Sequence, residues 1–403
     1  MFGWEYPPFN SGGLGVACLG MSEALAERGV GVTFVLPQSV PLVSQAGVTF
    51  AFADEFLPRR KGPLSTAYPQ GMEFDINGKK KSFYGAGLIE DVMHYRQAAR
   101  SIAREHSNAD IIHAHDWLSF GAGITAKEVL HKPLFSHIHA TEFDRTGGTF
   151  LNEHVYDLEQ EGFQKSDVIV SVSNYTKSMV MAGYNIPEEK ITVVHNGVLP
   201  DPTPTEELLN LSQLKREGKK IVLFLGRLTL QKGPDYFLRA AEKVAARDPE
   251  KKVIFLVAGG GDMMPQLVRE TVARGISDRV FFLGFLRDKE HASVVAASDV
   301  YVMSSVSEPF GIVPLEVLRR NVPVIIPKQS GVSEVLSHAL KIDFWDVDEL
   351  VNKIMAVLAH PALKDSLAEN GSREAWQATW GRAADRLITL YESHLARPQF
   401  KLS

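Results

Sequence analysis

Residues 221–234 read Ile-Val-Leu-Phe-Leu-Gly-Arg-Leu-Thr-Leu-Gln-Lys-Gly-Pro. Five apolar residues in a row, a glycine, a short polar turn and a proline suited to a helix's first position spell a buried strand feeding a helix. The same rhythm runs outward in both directions. In the second half, strands are expected at Lys252–Ala258, Arg279–Leu283, Asp299–Met303 and Pro323–Ile326, and in the first at Gly31–Leu36, Asp110–His115, Pro133–His139 and Asp167–Ser171. Short apolar runs alternating with amphipathic helices predict an α/β fold, a parallel sheet covered by helices on both faces.

The chain has 403 residues, too many for one ordinary core. Leu199-Pro-Asp-Pro-Thr-Pro-Thr205 has the composition of an interdomain linker, which divides the chain into residues 1–200 and 201–375. Residues 376–403 are expected to form a last helix, with helical pattern from about residue 372 to 395, packing back across the domain junction. The two halves share architecture without a sequence repeat. A doubly wound domain normally opens with a strand, yet the first loop begins by about residue 5. The N-terminus therefore reads as shortened, at a cost to the first domain's stability.

Composition removes several classes of function. Apolar residues make up 45% and charged residues 23%, the balance of a soluble globular protein, and the net charge of −5 argues against nucleic acid as a partner. Cys18 is the single cysteine, so no intramolecular disulfide or cysteine-rich zinc site can form, and a cytoplasmic location is expected. No apolar run approaches a membrane span and no signal peptide opens the chain, so no integral membrane association is expected. The basic clusters Arg59-Arg60-Lys61 and Lys79-Lys80-Lys81 leave peripheral contact with an anionic membrane or polymer open beside the plainer reading of solvated loops.

In doubly wound sheets ligands bind beyond the carboxyl ends of the strands, and there the unusual residues gather. Arg227 can grip phosphate oxygens as a planar fork and Lys232 adds a point charge, although both could be surface cations. Gly259-Gly260-Gly261-Asp262 would let backbone approach a ligand, or would merely supply positive φ. After Asp299–Met303 comes Ser-Glu308-Pro-Phe310-Gly311-Ile312-Val-Pro314-Leu-Glu316, two glutamates around a glycine loop that enters a helix. Backbone N–H groups near Gly311 and Ile312 would point at an anion, Glu316 could accept from a ribose diol, and Glu308 could hold sugar hydroxyls. The plainer reading has Glu308 as a cap and Glu316 on a solvated face.

Together, Gly226-Arg227, Lys232-Gly233, the triple glycine, Glu308-Pro-Phe-Gly-Ile with Glu316, and Ser330-Gly-Val-Ser-Glu334 resemble the large family of retaining GT-B glycosyltransferases that includes sucrose and sucrose-phosphate synthases. The resemblance covers essentially the whole chain. It implies two Rossmann-like domains facing across a cleft and a nucleotide diphosphate sugar donor, UDP- or ADP-glucose, with no required cofactor or metal. The acceptor would be a saccharide or other hydroxyl compound. By the same resemblance Arg227 and Lys232 stabilise the leaving diphosphate, Glu308 and Phe310 line the donor sugar's loop, Glu316 binds ribose, and backbone near Phe285 and Leu286 meets the base.

The first half carries matching pieces. Asn10-Ser11-Gly12-Gly13-Leu14-Gly15 resembles the loop of glycogen and starch synthases that approaches donor phosphates. In His113-Ala-His115-Asp116-Trp117 the aspartate would face the acceptor, and His139 in His137-Ile-His139-Ala-Thr141 stands where the donor-sugar histidine lies. Glu142-Phe-Asp-Arg145 looks nearest to glucan-synthase-like members, which points to glucose.

Two rival enzymes share the chain. The His113/His115 and His137/His139 pairs, with Asp116, could serve a metal-dependent hydrolase, since alternate strand residues share a face. A nucleotide-sugar epimerase of the same fold would bind the same donor. A catalytically silent sensor would keep the ligands and lose the chemistry. Trp4, Tyr6 and Phe9 either stack on an acceptor or anchor the N-terminus.

Overall fold

The computed structural model describes residues 1–10, 12–44, 47–58, 64–65, 71–74, 80–83, 87–148, 150–199, 211–286 and 288–396. Ser11, the cluster Arg59-Arg60-Lys61, Lys79 and linker residues 200–205 lie outside them. The chain forms two compact units, one of Val198–Ala378 and one of Met1–Gly197 with Thr379–Ser403.

In the second unit six strands form one parallel sheet: β9 (Lys220–Leu225), β10 (Val253–Ala258), β11 (Val280–Gly284), β12 (Val300–Val302), β13 (Val324–Pro327) and β14 (Leu340–Ile342), following the eight strands of the first unit. Their spatial order is β11-β10-β9-β12-β13-β14, the doubly wound order of a dinucleotide-binding domain. The sheet is apolar on both faces because helices cover both. Helix Pro234–Arg247, opened by its proline, buries Phe237, Leu238, Ala241 and Val244 against Phe255 and Val257. β14 lies at the sheet edge as three residues, Leu-Lys-Ile, too short to carry a strand pattern.

The first unit holds β1 (Val32–Leu36), β2 (Val48–Phe52), β3 (Gly71–Phe74), β4 (Lys80–Phe83), β5 (Ile112–His115), β6 (Leu134–Ile138), β7 (Val168–Ser171) and β8 (Ile191–Val193). β3 and β4 make an antiparallel pair apart from the main sheet. β1–β2 and β5–β8 are parallel runs, and Phe2 bridges them, pairing with Val35 on one side and Ala114 on the other. Phe2 N–H donates to His113 O at 2.7 Å and Val35 N–H to Met1 O at 2.7 Å. Met1–Gly3 thus lies between β1 and β5 and links the two runs. Gly3 has no room for a side chain, since a Cβ would lie 2.4 Å from the Phe34 ring. Trp4 and Tyr6 belong to the core. Trp4 meets Tyr95 edge-on, Tyr6 packs between Phe34 and Phe50, and Phe9 alone of the three is exposed.

The helical pattern near the C-terminus breaks into two helices, Pro361–Ala375 in the second unit and Trp380–Leu395 in the first. Thr379 caps the latter by accepting from Arg382 N–H, and Trp380 rests on Gly20, where a Cβ would fall 2.2 Å from the indole nitrogen. The chain therefore leaves the first unit after Gly197 and rejoins it at Thr379.

Where the second unit begins and ends, Val198 N–H donates to Ala378 O at 3.2 Å, and the buried Arg319 guanidinium donates to the carbonyls of Leu199, Ala375 and Ala378 at 3.0–3.3 Å, with Val198 O at 3.4 Å. The Trp376 ring covers the same guanidinium at 4.6 Å. Replacing Arg319 by alanine strips donors from several carbonyls at once, so urea denaturation should show a loss of about 2–3 kcal/mol. Arg319→Lys should recover only part, because an ammonium cannot reproduce the planar fork. An unchanged midpoint for Arg319→Ala would refute the clamp.

Candidate active site

Each unit collects polar residues at the carboxyl ends of its strands. In the second, the strand order reverses between β9 and β12, the switch point where doubly wound sheets leave a crevice. β9 delivers Gly226 and Arg227, and a 3₁₀ turn over Leu230–Lys232 brings the lysine back. Gly233 then adopts φ 60°, and a Cβ there would lie 2.2 Å from Ser304 O at the end of β12. Only glycine permits that approach. Ser304 Oγ donates to Gly233 O at 2.7 Å and fastens the two loops.

As a result Lys232 Nζ donates to Glu308 Oε2 at 2.6 Å, and Ser305 Oγ donates to the same oxygen at 3.0 Å. Glu308 Oε1 has no hydrogen-bond partner among the described residues, which leaves one oxygen for a ligand. Glu308 is fixed by its backbone as well, pairing with Ser330 and exchanging bonds with Gln329 O and Gly331 N–H. Arg227 donates to Gln231 Oε1 at 3.2 Å, and Gln231 Nε2 donates to Ser307 O. Burial lifts the Tyr301 phenol well above its ordinary range, with Glu308 and then Glu316 adding negative charge nearby, so both glutamates belong to one neighbourhood.

Gly311 has φ 97°, and a Cβ would press on Glu308 Cγ at 3.1 Å, so this glycine keeps the glutamate's place. Phe310 is buried and its carbonyl accepts from Val332 N–H at 2.6 Å. Ile312 precedes the helix Val313–Arg319, whose first turn carries Glu316. Leu286 follows β11 beside the exposed Phe285. The triple glycine divides its work. Cβ atoms at Gly259 and Gly261 would strike Gly226 O at 1.9 Å and Leu228 O at 2.3 Å, so these two let the β9 and β10 loops lie against each other. Gly260 faces open space.

In the first unit, Gly12 precedes and Gly13 opens the helix Gly13–Ala26, and a Cβ at Gly13 would meet nothing within 4 Å. Four imidazoles lie together because β5 and β6 run side by side with His115 opposite His137. His113 Nδ1 meets Tyr391 Oη at 2.5 Å and His113 Nε2 meets His137 Nδ1 at 3.1 Å. His115 Nδ1 meets His139 Nε2 at 3.0 Å, and the rings of His137 and His139 stack with centroids 4.4 Å apart. Of the four only His139 is partly exposed.

Asp116 holds the turn after β6. Its Oδ1 accepts from the backbone N–H of His139 at 2.7 Å and Ala140 at 3.4 Å, and its Oδ2 accepts from Arg145 at 3.2 Å. Arg145 also donates to Glu159 Oε1 at 2.9 Å, and Glu159 further accepts from Glu142 N–H and Tyr184 O–H. All of these side chains are buried. Burial lifts the Glu159 carboxyl to about 8 against the pull of Arg145, which brings this enclosed group nearer neutrality. Reading the sequence singled out neither Ser305 and Gln231 nor the Glu159–Tyr184 pair. Ser304-Ser305 directly after an apolar strand was the one local signal, while Glu159 and Tyr184 lie on separate helices whose contact no spacing reveals.

Among the described residues, the ring nitrogens of His113, His115 and His137 form the one grouping close enough to share a metal, within 4.8 Å of one another. Three Nδ1 atoms are engaged with Tyr391, His139 and His113, and both oxygens of Asp116 are committed to His139, Ala140 and Arg145. The carboxylate that the hydrolase reading needs as a further ligand is not part of that grouping. That donor set does not favour a hydrolytic metal centre.

A family model described as "Glycosyl transferases group 1" matches residues 207–374, and one described as "Glycosyltransferase Family 4" matches residues 11–201. An uncharacterized glycosyltransferase of Methanocaldococcus jannaschii is 27% identical across 97% of both chains. A glycogen synthase of Mycobacterium tuberculosis is 25% identical across 90% of this chain and 86% of its own. The solved structure of HepE from Anabaena, in complex with UDP and glucose, superposes with a TM-score of 0.71 at 17% identity, covering 97% of this chain and 98% of that one. Among the described residues no helix is long and apolar enough to cross a membrane.

The imidazole cluster has a consequence for stability. His113, His115 and His137 are held well below, and His139 below, the ordinary 6.5, first by burial. Below that pH the unfolded chain takes up protons that the folded chain refuses, so stability is full above 6.5 and lost as pH falls. Each excluded imidazole contributes a slope of about 1.4 kcal/mol per pH unit. Urea midpoints for the first unit should therefore drop between about pH 7.5 and about pH 5.5, and His113→Gln should flatten the slope by about one imidazole's worth. Midpoints that stay level over that range would contradict neutral, buried rings.

Proposed function

The chain is a group 1 glycosyltransferase with the GT-B fold of two Rossmann-like domains, and from that premise we propose that it transfers glucose from UDP- or ADP-glucose to a saccharide hydroxyl with retention at the anomeric carbon. The observation that carries this reading is the Lys232–Glu308 pair at the switch point of the second unit, with Arg227 on the adjoining loop. Breaking the sugar–phosphate bond leaves a further negative charge on the departing diphosphate. Two cations already fixed beside the crevice stabilise that charge without reorganising. They also make a metal ion unnecessary in this proposal.

Glu308 offers Oε1 to donor-sugar hydroxyls while Lys232 and Ser305 hold Oε2. Glu316 accepts from the ribose diol, and backbone at Gly311, Ile312 and Gly261 approaches the donor. Phe310 shapes that loop from its buried position, and Leu286 flanks the base. In the first unit Gly12 and Gly13 provide side-chain-free backbone for the phosphates, and His139 meets the donor sugar. Asp116 serves the acceptor side from behind, through the turn that it pins. Kinship with a glycogen synthase and the UDP and glucose of the HepE structure support glucose as the sugar. Retention rests on the family resemblance. A nucleotide-sugar donor and a single cysteine in 403 residues support a cytoplasmic setting.

A thermal-shift and hydrolysis screen with UDP-, ADP- and GDP-sugars, with and without EDTA, tests the reading. One nucleotide sugar should stabilise the chain and be hydrolysed slowly, at a rate that EDTA leaves unchanged. Arg227→Ala and Lys232→Ala should each cut turnover about 10²–10³-fold, the usual loss for one group facing developing charge. Turnover within a few-fold of the parent for both variants would remove the assignment.

A further inference from the structure

We propose that His115 fixes His139 in the Nδ1–H tautomer, so that His139 presents a hydrogen-bond donor to its ligand and does not act as a base. The inference deepens the proposed function, which has His139 meet the donor sugar, and identifies His115 as a positioning residue for it.

The argument is a count of protons. In neutral imidazole one nitrogen donates and the other accepts. Between His115 Nδ1 and His139 Nε2, 3.0 Å apart, one hydrogen must lie. If His139 supplied it, His115 would carry its own proton on Nε2. That atom is buried and has no partner among the described residues, so an N–H would be orphaned there. Orphaned buried N–H groups are rarer than under-satisfied acceptors, because a lone pair without a partner is the smaller defect. The hydrogen therefore belongs to His115 Nδ1, which leaves Nε2 bare.

His139 then accepts at Nε2 and keeps its proton on Nδ1. That nitrogen makes no hydrogen bond among the described residues, and His139 is the ring of the four that reaches the surface. The neighbouring pair repeats the arrangement. His137 Nε2 is likewise buried without a partner among the described residues, and donation from His137 Nδ1 to His113 Nε2 keeps that atom bare. His115 cannot change tautomer alone without orphaning an N–H at Nε2. The His139 backbone is held separately by Asp116, so the ring and its main chain are fixed from two directions.

The test is ¹⁵N NMR of the full chain with labelled histidine, where two-bond correlations separate the tautomers. His139 is assigned by loss of its signals in His139→Asn, and His113, His115 and His137 by the corresponding variants. At neutral pH wild-type His139 should show the Nδ1–H pattern, and His115→Phe should convert it to a mixture. The same variant should raise the donor KM about tenfold with kcat changed far less, as for a mis-set binding group. An Nε2–H pattern in the wild type overturns the proposal, as does an Nδ1–H pattern that His115→Phe leaves untouched. If His115→Phe does not fold, the wild-type spectra of His115 and His139 decide alone, since the proposal requires Nδ1–H on both. The spectra do not depend on turnover, so absence of glycosyl transfer would refute the function without touching the tautomer.

Discussion

The close contact between Gly233 and the carbonyl of Ser304 governs how the second unit's charges are arranged. Without a Cβ at that point the loop after β9 folds onto the end of β12, and a lysine from one strand meets a glutamate from another. Everything else in the cluster is arranged around that meeting. Ser305 shares the carboxylate oxygen, Gly311 keeps the glutamate from being displaced, and Gly259 and Gly261 let the third loop lie against the first. A charge pair built this way is partly buried and geometrically fixed, so it carries the two properties that electrostatic stabilisation of a leaving group requires. The glycines are the scaffold, and the charges are their cargo.

The first unit solves a different problem. Four histidines in its interior would be costly if charged, and the surroundings hold them neutral. A neutral cluster needs its hydrogen bonds shared out, and two buried nitrogens lack partners among the described residues. Asp116 brings a negative charge to the edge of this group and Arg145 balances it, with Glu159 behind. The result is a rigid wall from which one ring emerges.

Much of the fold was legible in the sequence because parallel strands buried on both faces are continuous apolar runs. Each of the nine expected strands is present within two residues at either end. The five strands that went unread are short or at an edge: Ile191–Val193 and Leu340–Ile342 have three residues each, Gly71–Phe74 and Lys80–Phe83 have four each, and Val48–Phe52 pairs only with Val32–Leu36 among the named strands. Motifs at strand ends announced Arg227, Lys232 and Glu308, since glycine and charge beside an apolar run is a rare juxtaposition. Ser305 and Glu159 stayed hidden because their importance lies in contacts between distant segments. The triple glycine was legible as a loop but not as to purpose: two of its members serve backbone packing.

The route of the chain also bears on how the protein is made. The second unit is inserted whole between Gly197 and Thr379, with its two ends joined by the Val198–Ala378 hydrogen bond and the Arg319 clamp. Its residues are contiguous, so it can fold as soon as it leaves the ribosome. The first unit, though begun earlier, must wait for residues 380–395. Until that last helix arrives, Gly20 faces no indole and His113 lacks the phenol of Tyr391. The half synthesised first is therefore the half whose contacts are completed last, the phenol beside its histidine cluster among them.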